Sequence, residues 1–215
     1  MKKILINGTN GMIGGLVLQE CLNSADVNQV ISITRKPLGI THQKLTEVLH
    51  NDFLDYTAVE SQFKNIDVCF YCIGVYTGQV PTQEFKKITV DFTKAFCETL
   101  KRNSGSATFC FLSGQGADSS EKSRVLFARE KGIAENFILS LQFQHTYIFR
   151  PGYIYPATAR VEPNTAYKIM RVLYKPIAAI YPNIGVTSVQ LAHKIFITGI
   201  HGGDRTIYEN KFIRN

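Results

Sequence analysis

The stretch Gly8-Thr9-Asn10-Gly11-Met12-Ile13-Gly14 decides the fold. It directly follows a short apolar run, residues 3–7, and opens a segment, residues 11–22, in which apolar side chains recur at helical spacing. Glycine allows a tight turn and lets the backbone approach a phosphate closely, and the start of a helix offers N–H groups and a positive dipole end. A glycine-rich turn between a strand and a helix therefore predicts a site for the pyrophosphate of a dinucleotide.

Strands and helices alternate over the first 150 residues. Runs of β-branched and aromatic residues predict further strands at 29–34, 44–50, 67–73, 107–112 and 145–149. Helical patterns lie at 56–63, from 82 to about 101 and at 123–141. This alternation predicts an α/β fold with a doubly wound parallel sheet, because right-handed crossovers bury such a sheet between two helical layers.

The alternation of strands and helices becomes less regular after residue 151. Prolines occur at 156, 163, 176 and 182, and helical patterns lie near 165–173 and 188–200. No repeat and no long linker divides the chain. We therefore expect a single domain over residues 1–215, with a core at 1–152. Residues 153–215 are expected to form a small C-terminal cap on the substrate side and the elements that return to the sheet.

Composition and charge narrow the classes of partner. The chain is 45% hydrophobic and 19% charged, as in an ordinary globular domain. The net charge is +7, but no block of five or more cations occurs. A cationic helix face of Lys168, Arg171 and Lys175 is the best candidate for a nucleic-acid or membrane surface, and solvation explains it more simply. We expect a small-molecule substrate, a possible homodimer, and neither a nucleic-acid nor a membrane partner.

The five cysteines are an odd number and lie in apolar runs, which indicates reduced, buried thiols. Cys69 and Cys72 form a C-x-x-C inside a predicted strand, where residues three apart point to opposite faces. We therefore interpret them as core residues, and no histidine has metal-ligand spacing, so no metal site is expected. The thiols and the absence of a signal-peptide pattern at the N-terminus predict a cytoplasmic protein.

The glycine spacing, G-x-x-G-x-x-G, resembles that of the short-chain dehydrogenase/reductase superfamily, although Asn7 stands where the family usually has threonine. Three further segments carry the resemblance: Cys72-Ile73-Gly74 at the end of the fourth strand, Leu112-Ser113 at the end of the fifth and Arg150-Pro151-Gly152 at the end of the sixth. It extends from residue 3 to about 200. It is greatest for the atypical and extended members, of the nucleoside-diphosphate-sugar-epimerase-like or NmrA-like kind, and it implies a Rossmann fold that binds NAD(P).

The residues at the end of the second strand indicate whether the chain binds NAD or NADP. NAD-binding proteins of this fold carry an acid about 20 residues beyond the glycines. Here the sequence is Thr34-Arg35-Lys36-Pro37, with two cations and no acid. Arg35 suits the 2′-phosphate of NADP because a guanidinium binds phosphate through two parallel hydrogen bonds. Lys36 either adds a second charge or is a solvated loop residue.

The resemblance implies further contacts with the cofactor. Asp52 would meet the adenine amino group, or would simply stabilise a turn, Phe53 would line the adenine pocket, and Gly74 would pass close to the adenosine ribose. The complete set of expected cofactor-binding residues is Gly8, Thr9, Asn10, Gly11, Met12, Ile13, Gly14, Arg35, Lys36, Asp52, Phe53, Cys72, Ile73, Gly74, Lys131, Pro151 and Gly152.

Catalytic members of the superfamily use Ser, Tyr and Lys, the last two as Tyr-x-x-x-Lys. Ser113 and Lys131 fit the serine and the lysine, but Phe127 stands in the register of the tyrosine and has no proton to transfer. Three explanations are open: cofactor binding without turnover, a proton from Tyr76, Tyr153 or Tyr155, or a reaction that needs no strong acid.

We therefore expect an NADP-dependent oxidoreductase or epimerase-like enzyme that acts on a small carbonyl or hydroxyl compound. The alternative is a non-catalytic NADP(H)-binding redox sensor or regulatory protein. In either case the ligands should lie over the carboxyl ends of the strands, between residues 74–78 and the segment after 151.

Overall fold

The computed structural model describes residues 1–158 and 165–214. Within them the strands are β1 (Lys2–Asn7), β2 (Val27–Thr34), β3 (Leu45–Leu49), β4 (Val68–Tyr71), β5 (Thr108–Leu112), β6 (His145–Arg150), β7 (Tyr153–Tyr155), β8 (Gly185–Thr187) and β9 (Ile207–Glu209). The main sheet has the order β3-β2-β1-β4-β5-β6-β9, and all its pairings are parallel. The predicted doubly wound α/β fold is confirmed.

The α-helices in the same residues are α1 (Met12–Asn23), α2 (Thr82–Lys86), α3 (Phe92–Asn103), α4 (Leu126–Ser140), α5 (Thr165–Ile180), α6 (Ser188–His201) and α7 (Asn210–Ile213). A π-helical segment, Lys87–Asp91, joins α2 to α3, and Thr57–Phe63 and Pro182–Ile184 are 3₁₀-helical. None of the helices in this described part is long and apolar enough to cross a bilayer.

The strand order reverses between β1 and β4, which both lie at the centre of the sheet. Their register pairs Asn7 with Tyr71 at the carboxyl ends. In an open parallel sheet, the crevice at such a reversal is where ligands bind. The glycine turn starts directly after Asn7 and therefore lies at this crevice.

Two apolar cores cover the faces of the sheet. Ile4 and Ile6 point into a core that α1 and α6 complete, whereas Leu5 points into the opposite core with α3 and α4. Cys69 belongs to the second core, and Cys72 packs against the first, so the two thiols lie on opposite sides as expected. All five cysteines are free.

The C-terminal part extends the main sheet and covers one of its faces. Strand β9 pairs with β6 and extends the main sheet, and α6 packs on α1 over one face. Strands β7 and β8 form a separate parallel pair. These strands have only three residues each, too few for a periodic pattern to be recognised. The division at residue 152 stays a prediction.

Helix α5 is longer than the predicted 165–173. It continues through Pro176 to Ile180, although proline lacks the N–H that would bond the carbonyl four residues earlier. Pro163 lies outside the described residues.

Candidate functional site

A cleft of about 720 Å³ opens at the carboxyl ends of β1, β4, β5 and β6. Residues that follow β4 form one side, and residues that follow β6 form the other, as the sequence predicted. The described residues that line it are Gly11, Met12, Ile13, Cys72, Ile73, Gly74, Val75, Tyr76, Thr77, Leu112, Ser113, Gly114, Gln115, Phe127, Lys131, Pro151, Gly152, Tyr153, Ile154 and Met170.

Glycine is required at two positions of the turn. Gly8 has a φ of +93°, and a Cβ on it would lie 2.7 Å from the backbone of Cys72. A Cβ on Gly14 would lie 2.2 Å from the carbonyl oxygen of Gly8. The first turn of α1 is thus pressed against the loop before it. No side chain caps α1 at Gly11, so its N-terminus is open for an anion.

The side chains of Thr9 and Asn10 hold the turn against β2. The hydroxyl of Thr9 is buried and lies 2.7 Å from that of Ser32. The Asn10 amide donates to the hydroxyl of Thr34 and, at 2.8 Å, to the carbonyl of Lys36. These bonds fix the end of β2 beside the glycine turn, so Arg35 and Lys36 emerge next to it. Because the Thr9 side chain is engaged with Ser32, only the backbone of Thr9 is available to contact a cofactor.

Arg35 is exposed, and its guanidinium carbon lies 5.6 Å from the ring centroid of Phe53. Phe53 itself is buried and stacks on Tyr56 with ring centroids 6.0 Å apart. The ring thus packs in the core beneath Arg35, and its expected contact with an adenine stays a prediction. Asp52 is exposed, and its Oδ1 accepts a hydrogen bond from the amide of Leu54 at 2.9 Å, which is the turn role considered above.

The segment after β4 extends the central pairing by one residue. The amide of Cys72 donates to the carbonyl of Asn7 at 2.8 Å, and Ile73 and Gly74 then leave the sheet, so β4 is shorter than the predicted strand. A Cβ on Gly74 would meet nothing within 4 Å. Packing within the protein therefore does not explain a glycine here.

Pro151 and Gly152 turn the chain at the other side of the cleft. The carbonyl of Pro151 accepts from the amide of Gln115 at 2.8 Å, and the amide of Gly152 donates to Oδ1 of Asn210 at 2.8 Å. A Cβ on Gly152 would lie 2.7 Å from the carbonyl of Ile184. Close packing before β8 explains glycine at this position without a ligand.

Lys131 lies beneath the cleft with its ammonium buried. Its Nζ donates to the carbonyl of Leu112 at 3.1 Å and lies 4.8 Å from the ring centroid of Phe111. Burial lowers the pKa of Lys131 from 10.5 to about 8, and the nearby carboxylate of Glu135 opposes this shift. Lys131 and Ser113 therefore line the same cleft, on α4 and at the end of β5.

Ser113 is tied into a buried ionic group that sequence reasoning missed. Its hydroxyl donates to Glu135, whose buried carboxylate forms an ion pair with Arg150. Arg150 also lies 3.0 Å from Glu209, and the hydrogen bond to Glu135 raises the pKa of Arg150. A signal was present: Glu135 is four residues after Lys131 on the same helix face, and Arg150 ends the neighbouring strand.

Phe127 occupies the place of the missing tyrosine. Its ring lies over Gly114, where a Cβ would be 2.5 Å from Cζ of the phenylalanine. Of the three tyrosines considered as substitutes, Tyr76 and Tyr153 line the cleft. Tyr155 does not, and its ring stacks on Tyr174 with centroids 4.8 Å apart.

Known proteins similar to this chain were found by sequence and by structure. No family model matches the chain. Protein HTATIP2 of Rattus norvegicus is 28% identical over 154 residues, which are 70% of this chain and 62% of that protein. "Protein FMP52, mitochondrial" of Debaryomyces hansenii is 28% identical over 149 residues, 68% of this chain and 64% of that protein. The match thus spans less than two thirds of either relative.

Solved structures share the whole architecture. MoeE5 in complex with UDP-glucose and NAD has a TM-score of 0.70 at 17% identity, over 96% of this chain and 74% of that one. A short chain dehydrogenase family protein from Francisella tularensis has a TM-score of 0.67 at 14% identity, over 100% of both chains. The resemblance to the short-chain dehydrogenase/reductase superfamily is confirmed. A UDP-N-acetylglucosamine 4-epimerase from Methanobrevibacter ruminantium has the same fold, with a TM-score of 0.68 at 18% identity over 96% of this chain and 75% of that one.

The expected cytoplasmic location is wrong by the same comparison. The relatives from Debaryomyces hansenii and Candida albicans are both named as mitochondrial proteins. Buried free thiols indicate a reducing environment without specifying the compartment, which is why the cysteines misled the sequence analysis.

Proposed function

We propose that the chain binds NADP(H) at the glycine turn and acts as an oxidoreductase or epimerase-like enzyme on a small carbonyl or hydroxyl compound. The observation that carries this proposal is the fit of the turn. The space at Gly8 and Gly14 excludes a Cβ, and the first turn of α1 has no side-chain cap. This is the cradle that a pyrophosphate requires. Fold neighbours described as complexes with NAD support a nicotinamide dinucleotide at this turn.

Particular residues would hold the nucleotide. The backbone at Gly11–Ile13 suits the pyrophosphate, Arg35 the 2′-phosphate, and Lys131 the ribose next to the nicotinamide. Bound there, the reduced cofactor would supply the hydride that a carbonyl compound accepts, and the oxidised cofactor would accept the hydride that an alcohol gives up. The chain itself orients the ribose through Lys131 and excludes water through the apolar walls of the cleft.

The proton must come from a residue other than Phe127. The Ser113 hydroxyl donates its hydrogen bond to Glu135, so its oxygen can accept a hydrogen bond from the hydroxyl of an alcohol, whereas it has no hydrogen left for a carbonyl oxygen. Tyr76 and Tyr153 are the tyrosines that line the cleft in the described residues. We propose that one of them holds the proton that is exchanged with the substrate oxygen.

The lining of the cleft suits an uncharged substrate of modest size. Among the described lining residues, Lys131 carries the one charge, and its ammonium is engaged with Leu112. Neighbouring side chains such as Val75, Ile154 and Met170 are apolar. An aldehyde or ketone with an apolar body fits this environment better than an anionic compound does.

The second candidate is a non-catalytic NADP(H)-dependent regulator, and Phe127 is the observation that favours it. In that case the nucleotide would bind without turnover, and its oxidation state would change the protein's contacts with a partner. The intact turn and the buried Lys131 serve this function equally well.

One experiment tests both candidates. The purified protein is titrated with NADPH by nicotinamide fluorescence, and NADPH oxidation is then followed with a panel of small aldehydes and ketones. Turnover that Tyr76→Phe or Tyr153→Phe abolishes supports the enzyme. Binding without turnover, in a protein where Phe127→Tyr creates activity, supports the regulator. Absence of NADPH binding contradicts both.

A further inference from the structure

The outward side of α5 is apolar and open to solvent. Ile169, Val172, Leu173 and Ile180 are 54%, 77%, 43% and 89% exposed. The last three follow Ile169 by three, four and eleven residues, so all four side chains lie along one side of the helix. We call these four residues the α5 stripe.

The opposite side of α5 is already packed. Tyr174 is buried, stacks on Tyr155 with centroids 4.8 Å apart and contacts Tyr153 at 5.5 Å, and Met170 lines the cleft. A helix on the surface of a globular protein ordinarily has one apolar side, which faces the core. The α5 stripe is a second apolar side of this helix. Packing against the rest of the protein explains the side with Tyr174 and Met170 but does not explain the stripe.

The stretch of sequence that contains the stripe carries cations and no acidic residue. Between Glu162 and Asp204 the sequence has no aspartate or glutamate. The same stretch holds the cations Lys168, Arg171, Lys175 and Lys194. By their spacing, Lys168 and Arg171 share a flank of α5 beside the stripe.

We propose that the α5 stripe docks on an anionic lipid bilayer, with the helix lying in the plane of the headgroups. An apolar helix side flanked by cations is the pattern of interfacial helices, because the apolar residues enter the acyl boundary while lysine and arginine meet the phosphates. A second copy of the chain would bring one cationic flank against another, which Coulomb repulsion disfavours. This surface goes beyond the nucleotide site, and it revises the expectation that the chain has no membrane partner.

The position of α5 connects this surface with the cleft. Ile169 belongs to the stripe, whereas its neighbour Met170 lines the cleft. A bilayer on the stripe therefore lies close to the cleft entrance formed by α5.

Vesicle cosedimentation tests the proposal without any nucleotide. The vesicles consist of equal parts phosphatidylcholine and phosphatidylglycerol, or of phosphatidylcholine alone. We expect the wild type to sediment with the anionic vesicles, less with the neutral ones, and less again at high salt. The double variant Val172→Glu/Ile180→Glu should lose about tenfold or more in binding, since each loses an apolar side chain from the interface.

A matched variant separates the stripe from apolar exposure in general. Leu49 on β3 is 57% exposed, and Leu49→Glu should bind vesicles as the wild type does. Lys168→Gln should weaken binding to anionic vesicles only. Thermal melting shows whether each variant keeps the fold, and all the changed side chains are solvent-exposed.

Two results overturn the proposal. One is a double variant that sediments with anionic vesicles as well as the wild type does. The other is a wild type that does not sediment with them, and a dimer in sedimentation velocity that Val172→Glu/Ile180→Glu dissociates would then explain the stripe. The stripe would then cover a second copy of the chain.

Discussion

The hydroxyl of Ser113 donates its hydrogen bond to the buried carboxylate of Glu135. Because Glu135 also pairs with Arg150, a single carboxylate links the end of β5, the inner face of α4 and the end of β6. The ends of these strands form the floor of the cleft. The site is therefore held in place by one buried charge network whose central member is Glu135.

Replacing Glu135 by glutamine should destabilise the protein by about 3–5 kcal/mol, because removal of one partner leaves the Arg150 charge without its buried counterion. The matched variant is Glu209→Gln, since Glu209 contacts the same guanidinium at 3.0 Å but its side chain is 40% exposed. We expect Glu209→Gln to lower the free energy of unfolding by less than about 1 kcal/mol. Urea unfolding measures both. Equal losses in the two variants would show that Glu135 is not the central member of the network.

Much of the fold could be predicted from the sequence, since the glycine turn and the alternating strands and helices are local patterns. The predicted third, fifth and sixth strands contain or closely match β3, β5 and β6. Strand β9 has three residues and α5 continues through Pro176, so neither followed from local rules.

The candidate site could be predicted only in part, because residue type shows which groups are present but not which neighbours they bind. Ser113 and Lys131 were found from their register, and both line the cleft. Glu135 was missed since its partners Ser113 and Arg150 are brought together by the sheet. Phe53 packs in the core beneath Arg35, which the sequence pattern did not show, and its contact with an adenine stays a prediction.

Lys131→Met tests the buried ammonium. In the folded protein the pKa of Lys131 is lowered to about 8, whereas the unfolded chain keeps the proton up to about 10.5. Between these values the unfolded state binds more protons, so the free energy of unfolding of the wild type rises with pH. The variant should thus be more stable than the wild type at neutral pH, by at most about 3 kcal/mol at 1.4 kcal/mol per pKa unit, and lose this advantage towards pH 10.

Urea unfolding at neutral pH and near pH 10 checks this expectation. Lys86→Met, at an exposed position on α2, is the control and should show no such pH-dependent difference. If the difference in the free energy of unfolding between Lys131→Met and the wild type stays constant with pH, burial does not destabilise the ammonium.

Gly14→Ala should weaken NADPH binding by about tenfold or more, since the new Cβ would lie 2.2 Å from the carbonyl oxygen of Gly8 and must displace the turn. Gly15→Ala is the control, because its Cβ would lie 3.1 Å from the carbonyl of Thr9 and needs only a small adjustment. Fluorescence titration measures both dissociation constants. Unchanged affinity in Gly14→Ala would place the pyrophosphate elsewhere.

Phe127→Tyr restores a phenol one helical turn before Lys131, whose positive charge favours the ionised phenol. For a carbonyl compound that the wild type reduces slowly, we expect the rate to rise by about a hundredfold, the usual contribution of a placed acid. Phe137→Tyr, on the same helix, is the control and should leave the rate unchanged. An unaltered rate in Phe127→Tyr would mean that proton transfer does not limit the reaction.

Binding of NADP(H) is the central claim, and the exposed guanidinium of Arg35 beside the glycine turn gives its most direct test. NADPH and NADH are titrated by nicotinamide fluorescence into the wild type, Arg35→Ala and the control Arg102→Ala, whose arginine pairs with Glu60 at the surface. We predict tighter binding of NADPH than of NADH, and a loss of about tenfold or more for NADPH alone in Arg35→Ala, the scale of a charge-assisted phosphate contact. Equal affinities for the two nucleotides, unchanged in Arg35→Ala, would contradict the account.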